Sequence, residues 1–200
     1  MARFFEPYTG KSYFKNPVFG RRLLLIGESH YNDSDAPCES GATREVVDSF
    51  LSGQAIPFFD YLAEAAQGNR WAMTKDEFWH SVAFANFVQR PMESVSHRPT
   101  HSDFEAGAPA FWDTLARLAP DIVFMFTSAW NVLPEVAPGG MPEGTGGVGG
   151  PKSWLWRYAF AERAIYVARF NHPSARSNPS RAVWKAWADH CWHVLETSDA

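Results

Sequence analysis

Four short, mostly apolar runs recur along the chain without a regular alternation of apolar and polar side chains. They cover residues 22–26, 81–88, 121–126 and 164–170. Runs of this kind are typical of β-strands that are covered on both faces, as in parallel sheets. The first run ends abruptly at Gly27. The pattern therefore predicts four buried strands.

Between these runs, apolar residues recur every three or four positions, as they do on one face of an α-helix. Helices are predicted over residues 43–51, 58–67, 108–118 and 179–195. A short further helix is predicted after Thr74, which opens a capping-box pattern. Residues 89–107 are predicted to form a loop because prolines interrupt a mostly polar stretch, and residues 138–151 are predicted to form a glycine-rich loop.

Strands that alternate with helices predict the α/β class. The expected architecture is a three-layer αβα arrangement around a central four-stranded parallel sheet. A chain of 200 residues fits one domain, here residues 1–200. Because ligands bind beyond the carboxyl ends of the strands in such sheets, the segments that follow the strands are the predicted location of a site.

The composition narrows the classes of function. A hydrophobic content of 46% with 20% charged residues is typical of a folded domain. Eighteen basic and 22 acidic residues give a net charge of −4, which argues against a protein that coats nucleic acid through bulk charge. The longest apolar runs fall short of the roughly 18 residues of a membrane span, so we expect a cytoplasmic protein without a membrane partner. No feature of the sequence predicts an oligomeric state.

No metal or cofactor is predicted from the potential ligands. Two cysteines, Cys38 and Cys191, are too few for a four-cysteine zinc or iron–sulfur site. His97 and His101 flank Pro99, which disfavours a helix that would align the two rings. The aromatic content is high at 16%, with nine Trp and sixteen Phe, and it suits a core, a stacking pocket or both.

Polar and aromatic residues follow the predicted strands, and their types indicate a task. Glu28 can act as a general base or stabilise a developing cation. Asn86 carries a donor and an acceptor on one planar group, which suits the edge of a pyrimidine. His172 can donate a hydrogen bond to an oxygen that gains negative charge. Tyr31, Phe58, Phe87 and Trp130 are candidates for stacking walls, and for Phe87 and Trp130 packing in the core is the favoured alternative.

The order of three motifs resembles that of the uracil-DNA glycosylase superfamily. They are Gly27-Glu28-Ser29, Asn86 and His172-Pro173-Ser174. The stretch 84–91, in which Asn86 is followed by a basic residue and a proline, is similar to the bacterial thermostable branch, and so is the pattern over residues 115–123. The resemblance extends from about residue 22 to about residue 185.

This resemblance implies an N-glycosidic hydrolase that acts on a base flipped out of the nucleic-acid stack. Glu28 then positions the water, Asn86 reads the base edge and His172 stabilises the leaving base. Phe58 looks like the stacking phenylalanine of the family, and Tyr31 like a residue of the pocket floor. The other residues expected in the pocket or its lid are Gly27, His30, Phe87, Trp130, Asn171 and Ser174.

The chain also departs from the family pattern. Ser29, predicted to contact the base, stands where the best-known branch has its catalytic aspartate, and the cysteines of the iron–sulfur branch are missing. The loop after Ser174 has no bulky apolar side chain that could wedge into a duplex. A basic nucleic-acid rim is predicted instead, formed by Arg90, Arg176 and Arg181, with Arg98 and Lys185 nearby.

The sequence therefore predicts a DNA glycosylase-like hydrolase that cleaves the N-glycosidic bond of uracil or another deaminated base in DNA. Two alternatives remain open. One is a nucleoside or nucleotide hydrolase on the same fold. The other is a non-catalytic protein that binds a free base or nucleotide. The expected partner is accordingly DNA with a damaged base, or a free base or nucleotide.

Overall fold

The computed structural model describes residues 5–31, 38–94, 96–133, 154–160, 163–174 and 180–198. Within these ranges there are six strands: β1 (Tyr8–Thr9), β2 (Leu23–Gly27), β3 (Ala83–Asn86), β4 (Ile122–Phe126), β5 (Leu155–Phe160) and β6 (Arg163–Phe170). The five α-helices in the same ranges are α1 (Ala42–Leu51), α2 (Pro57–Gln67), α3 (Lys75–Ser81), α4 (His101–Leu118) and α5 (Arg181–Ser198). The glycine-rich stretch 138–151 lies outside the described residues.

All six strands form one sheet in the order β1-β3-β2-β4-β6-β5. The four inner strands are the ones that the sequence predicts, and they pair in parallel. The two edge strands β1 and β5 pair antiparallel with their neighbours. The α/β class is thus confirmed, whereas the expectation of a four-stranded parallel sheet is wrong, because the sheet is mixed and has six strands.

The two unpredicted strands lack the pattern that marks the inner ones. The strand β1 has only two residues. In β5, buried and exposed positions mix, with Leu155 and Tyr158 buried and Arg157 exposed. An edge strand with one open face has this mixed pattern, and it follows a stretch rich in glycine, so no continuous apolar run marks it.

The helix α4 begins seven residues earlier than the sequence predicts, at His101. Thr100 and Asp103 form a capping box, in which the Thr100 hydroxyl accepts from the Asp103 N–H and the carboxylate of Asp103 accepts from the Thr100 N–H. Pro109 therefore lies inside the helix rather than in its first turn. The capping box predicted at Thr74 is confirmed, with Glu77 as its partner.

Two hydrophobic cores lie on opposite faces of the sheet. Alternate residues of β2 face them, Leu23 and Leu25 on one side and Leu24 and Ile26 on the other. The first core is covered by α1, α2, α3 and α5, and the second by α4. Trp184 and Trp192 of α5 are each 1% exposed in the first core, which explains most of the tryptophan stripe as packing.

The parallel pairing places the carboxyl ends of β3, β2, β4 and β6 side by side along one edge of the sheet. The segments that follow these four strands consequently meet there. No helix within the described ranges is long and apolar enough to cross a membrane. Cys38 and Cys191 are both free thiols.

Candidate active site

Backbone hydrogen bonds hold the segments after β2 and β3 side by side. The Phe87 N–H donates to the Gly27 carbonyl (3.1 Å) and the Val88 N–H to the Glu28 carbonyl (2.9 Å). Gly27 pairs with Asn86 across the strands, and a Cβ at Gly27 would lie 2.4 Å from the Asn86 Oδ1. Glycine at this position therefore gives the Asn86 carboxamide the space that it occupies.

Two cavities adjoin at this edge of the sheet, and both are lined by Glu28 and His172. The smaller, of about 310 Å³, is mainly apolar and includes Phe58, Asn86 and Tyr31 in its lining. The larger, of about 510 Å³, is bordered by Arg98, Pro99, Phe104, Ser128 and Ser174. An apolar pocket with a few converging polar groups is the usual form of a ligand site.

Glu28 is 8% exposed, and its carboxylate has donors on two sides. The Ser128 N–H and the Thr127 hydroxyl, which follow β4, both donate to it. The Arg98 Nη1 lies 3.5 Å from the Glu28 Oε1. Burial is the dominant influence and raises the pKa of Glu28 above its ordinary value, although Arg98 and the two donors oppose this rise.

His172 is held as a neutral ring with a defined tautomer. Its Nδ1 accepts the Ser174 N–H at 3.2 Å and lies 2.8 Å from the Ser174 Oγ. A backbone N–H can only donate, so the ring proton belongs on Nε2. Burial, with a contribution from the Arg98 charge, lowers the pKa of His172 to about 4. The Phe58 ring stacks on the imidazole at 5.4 Å between centroids.

Asn86, which is 7% exposed, lies beside Phe58 and Phe84 in the lining of the smaller cavity. Its backbone carbonyl accepts from the Gln89 side chain at 2.7 Å. No hydrogen bond joins its carboxamide to another group in the part of the chain that the structure describes. The carboxamide thus keeps its donors and its acceptor for a ligand.

Three other predicted residues after β2 also line the smaller cavity, namely Ser29, His30 and Tyr31. The Ser29 Oγ is buried without a hydrogen-bond partner among the described groups. The His30 Nε2 lies 2.8 Å from the Thr43 hydroxyl of α1, and burial lowers the pKa of His30 to about 4. The Tyr31 hydroxyl accepts from Arg98 at 3.5 Å.

Two aromatic side chains expected in the pocket pack elsewhere. Phe87 is 1% exposed in the second core, where it contacts Phe104 and Phe111. Trp130 stacks on the guanidinium of Arg169, whose carbon lies 3.5 Å from the ring centroid. Both therefore contribute to packing. Asn171 directly follows β6 and is partly buried.

The predicted basic rim is largely paired within the protein. Arg90 donates to both carboxylate oxygens of Asp103, at 2.6 and 2.9 Å. Arg181 donates to Glu64 at 2.6 Å. Arg176 lies outside the described residues. The two described arginines of the rim thus have carboxylate partners of their own.

Arg98 is the site residue that the sequence assigned only to a rim. Its guanidinium reaches Glu28, Tyr31 and, at 2.9 Å, the Ser174 Oγ. It comes from the long connection between β3 and α4, directly before the α4 capping box. Thr127 and Ser128 were likewise not expected to contact Glu28. The described residues contain no group of three or more side chains that could hold a metal ion.

No protein-family model matches the chain, and no curated protein sequence matches it either.

Proposed function

We propose that this chain is a hydrolase of the uracil-DNA glycosylase type, with the three-layer fold of that superfamily, which cleaves the N-glycosidic bond of uracil or another deaminated base in DNA. The observation that carries the proposal is that Glu28, Asn86 and His172 line one cavity together with Phe58. Glu28 supplies a general base and Asn86 a carboxamide that can pair with the polar edge of a ring. His172 supplies a hydrogen-bond donor and Phe58 a ring for stacking.

In the proposed complex the base occupies the smaller cavity, whose volume of about 310 Å³ lies within the range of small-ligand pockets. The base stacks against the Phe58 ring. The free carboxamide of Asn86 offers a donor and an acceptor to a ring edge that bears both a carbonyl and an N–H, as uracil does. Recognition of this kind rejects a base that presents the wrong edge, because the buried amide would remain unpaired.

The reaction breaks the bond between the sugar C1′ and the base nitrogen, and the bonding electrons leave with the base. The neutral His172 donates its Nε2–H to the oxygen of the base that gains negative charge. The oxygen of a water molecule forms the new bond to C1′, and Glu28 takes up the proton that this water loses. An ionised Glu28 also stabilises the positive charge that develops on the sugar.

The test uses single- and double-stranded oligonucleotides that contain one uracil, hypoxanthine or xanthine. We expect abasic sites to form and expect Glu28→Gln and His172→Gln to lower the rate at least about a hundredfold. Glu105→Gln and His101→Gln are matched controls, since both side chains are exposed and lie 3.5 Å from each other on α4. Equal rates in the site variants and the controls would contradict the proposal.

A second candidate function follows from the paired rim. Because Arg90 and Arg181 already have carboxylate partners, the described residues of the predicted rim offer little unpaired positive charge to a phosphate backbone. This favours a free nucleoside or nucleotide as substrate or bound ligand. Turnover of nucleosides without turnover of oligonucleotides would establish a nucleoside hydrolase. A rise in melting temperature with uracil or a nucleotide, without any turnover, would establish a binding protein.

A further inference from the structure

Arg98 lies between the two groups to which the proposed function assigns the chemistry. Its Nη1 is 3.5 Å from the Glu28 Oε1, and its Nη2 donates to the Ser174 Oγ at 2.9 Å. That hydroxyl is 2.8 Å from the His172 Nδ1. We propose that Arg98 is a positioning residue that holds Glu28 and His172 in one arrangement, directly and through Ser174.

The direction of the hydrogen bonds supports this connection. Arginine only donates, so the Ser174 Oγ accepts from Arg98 with one lone pair. The hydroxyl proton of Ser174 is then free to point at the His172 Nδ1, which also accepts the Ser174 N–H. Two donors at Nδ1 direct the ring proton to Nε2, the atom that the proposed reaction uses.

The charge of Arg98 acts on both groups in the useful direction. A nearby cation favours the ionised form of a carboxyl group and the neutral form of an imidazole. Burial opposes the ionised form of Glu28, and Arg98 is the largest influence that counters it. The other titratable side chains that line the two cavities, within the described ranges, are His30 and Tyr31. His30 is buried as a neutral ring, so Arg98 supplies the positive charge.

The inference rests on the proposed function for its meaning, but it is tested without turnover. We would follow the ionisation of Glu28 and His172 by NMR in protein labelled at the side chains of both residue types. Glu28→Gln and His172→Gln identify their resonances. In Arg98→Gln we expect both groups to take up a proton at a higher pH than in the wild-type protein.

Two variants separate positioning from a general loss of structure. Arg117→Gln removes an arginine of equal exposure, 50% against 51%, that pairs with Glu6 away from the site, and both titrations should remain unchanged. Arg98→Lys keeps the charge but lacks the planar guanidinium that reaches Glu28 and Ser174 together. We therefore expect Glu28 and His172 to titrate at pH values between those of the wild-type protein and those of Arg98→Gln.

Activity gives a second readout with a distinct failure. If the enzyme turns over, we expect the rate of Arg98→Gln to fall at a higher pH than the wild-type rate as the solution is acidified, because removal of the Arg98 charge raises the pKa of Glu28. If Glu28 and His172 titrate in Arg98→Gln at the same pH values as in the wild-type protein, the role of Arg98 is overturned and the proposed function remains intact. Shifted titrations in a protein without turnover would overturn the proposed function and leave the positioning role standing.

Discussion

Asp121 precedes β4 and Glu28 follows the neighbouring parallel strand β2, so the two carboxylates lie at opposite ends of the sheet, and each lies beside an arginine. Asp121 accepts the Arg22 N–H at 2.8 Å and pairs with the Arg163 guanidinium at 2.6 Å. It thereby joins the starting residues of β2, β4 and β6. Glu28 instead meets one guanidinium at 3.5 Å and faces two cavities.

The surroundings of the two carboxylates account for the different roles. A cavity of about 290 Å³ touches Asp121, but its arginines Arg21, Arg157 and Arg163 all have partners. At the other end, the Asn86 carboxamide and the Ser29 hydroxyl have no partner among the described residues. Similar residue types thus fix the register of strands where their bonds are complete, and form a candidate site where neighbouring polar groups beside a cavity lack partners among the described residues.

The largest expected difference between the two carboxylates is in their effect on activity. We expect Glu28→Gln to lower turnover by about a thousandfold, since it removes the proton acceptor but keeps the shape of the side chain. Its melting temperature should stay the same or rise, because burial disfavours the charged carboxylate that the substitution removes. Steady-state rates and thermal unfolding of the same preparation measure both effects. A variant that is fully active but unstable would place Glu28 with Asp121 as a structural carboxylate.

Acid should destabilise the end of the sheet that holds the site before it affects the other. The pKa of the buried His30 is about 4 in the folded protein, against about 6.5 for an unfolded histidine. Between these pH values the unfolded chain binds more protons, so stability falls as the pH drops from about 6.5 to about 4. For His30 the full loss is about 3 kcal/mol.

Urea unfolding across this pH range measures the slope. His30→Gln should flatten it, and His172→Gln should flatten it further, since the pKa of His172 is also lowered to about 4. Amide exchange at pH 5 should show the segments after β2 and β6 opening before residues 121–123. An unchanged slope in both variants would contradict the assignment of two neutral imidazole rings to this end of the sheet.

The part of this arrangement that the sequence predicted is the part that depends on local patterns. Buried parallel strands form continuous apolar runs, so β2, β3, β4 and β6 were recognisable, and the residues that follow them were found by the rule that ligands bind there. Glu28, Asn86 and His172 are such residues. The strand β5 was not recognisable because its partly exposed pattern includes Arg157.

Arg98 could not be located from its neighbours in the sequence. It belongs to a connection that returns to the site only because α4 packs on the second core and its capping box fixes where the connection ends. Gly107 permits this packing, since a Cβ there would lie 2.2 Å from the Phe87 carbonyl oxygen. Phe87 was assigned to the pocket although side chains alternate along a strand, which places it on the face opposite Asn86.

The contacts that Asp121 makes to Arg22 and Arg163 at the starts of the strands should affect stability alone. Asp121→Asn weakens the contacts to Arg22 and Arg163, and we expect it to cost about 2 kcal/mol of unfolding free energy. Turnover per folded molecule should not change, because Asp121 lies at the end of the sheet away from Glu28. Urea unfolding and rates at saturating substrate check the two halves. A large loss of turnover with unchanged stability would show that the two ends are coupled.

The smallest expected effects distinguish two aromatic residues that the sequence offers as candidates for stacking walls. Phe58 lines the smaller cavity, whereas Trp130 stacks on Arg169. Phe58→Leu should weaken binding of uracil or a nucleotide about tenfold, since stacking on an aromatic ring contributes about 1–3 kcal/mol per base. Trp130→Leu should leave this affinity unchanged and lower stability by about 1 kcal/mol through the lost cation–π contact.

For both variants, calorimetric titration with uracil measures the affinity, and urea unfolding measures the stability. The two substitutions match in the residue that they introduce, so a difference between them reflects position rather than side-chain chemistry. Loss of affinity in Trp130→Leu alone would move the base away from Phe58 and toward the exit of β4. In that case the larger cavity, bordered by Ser128 and Arg98, would be the one that receives the base.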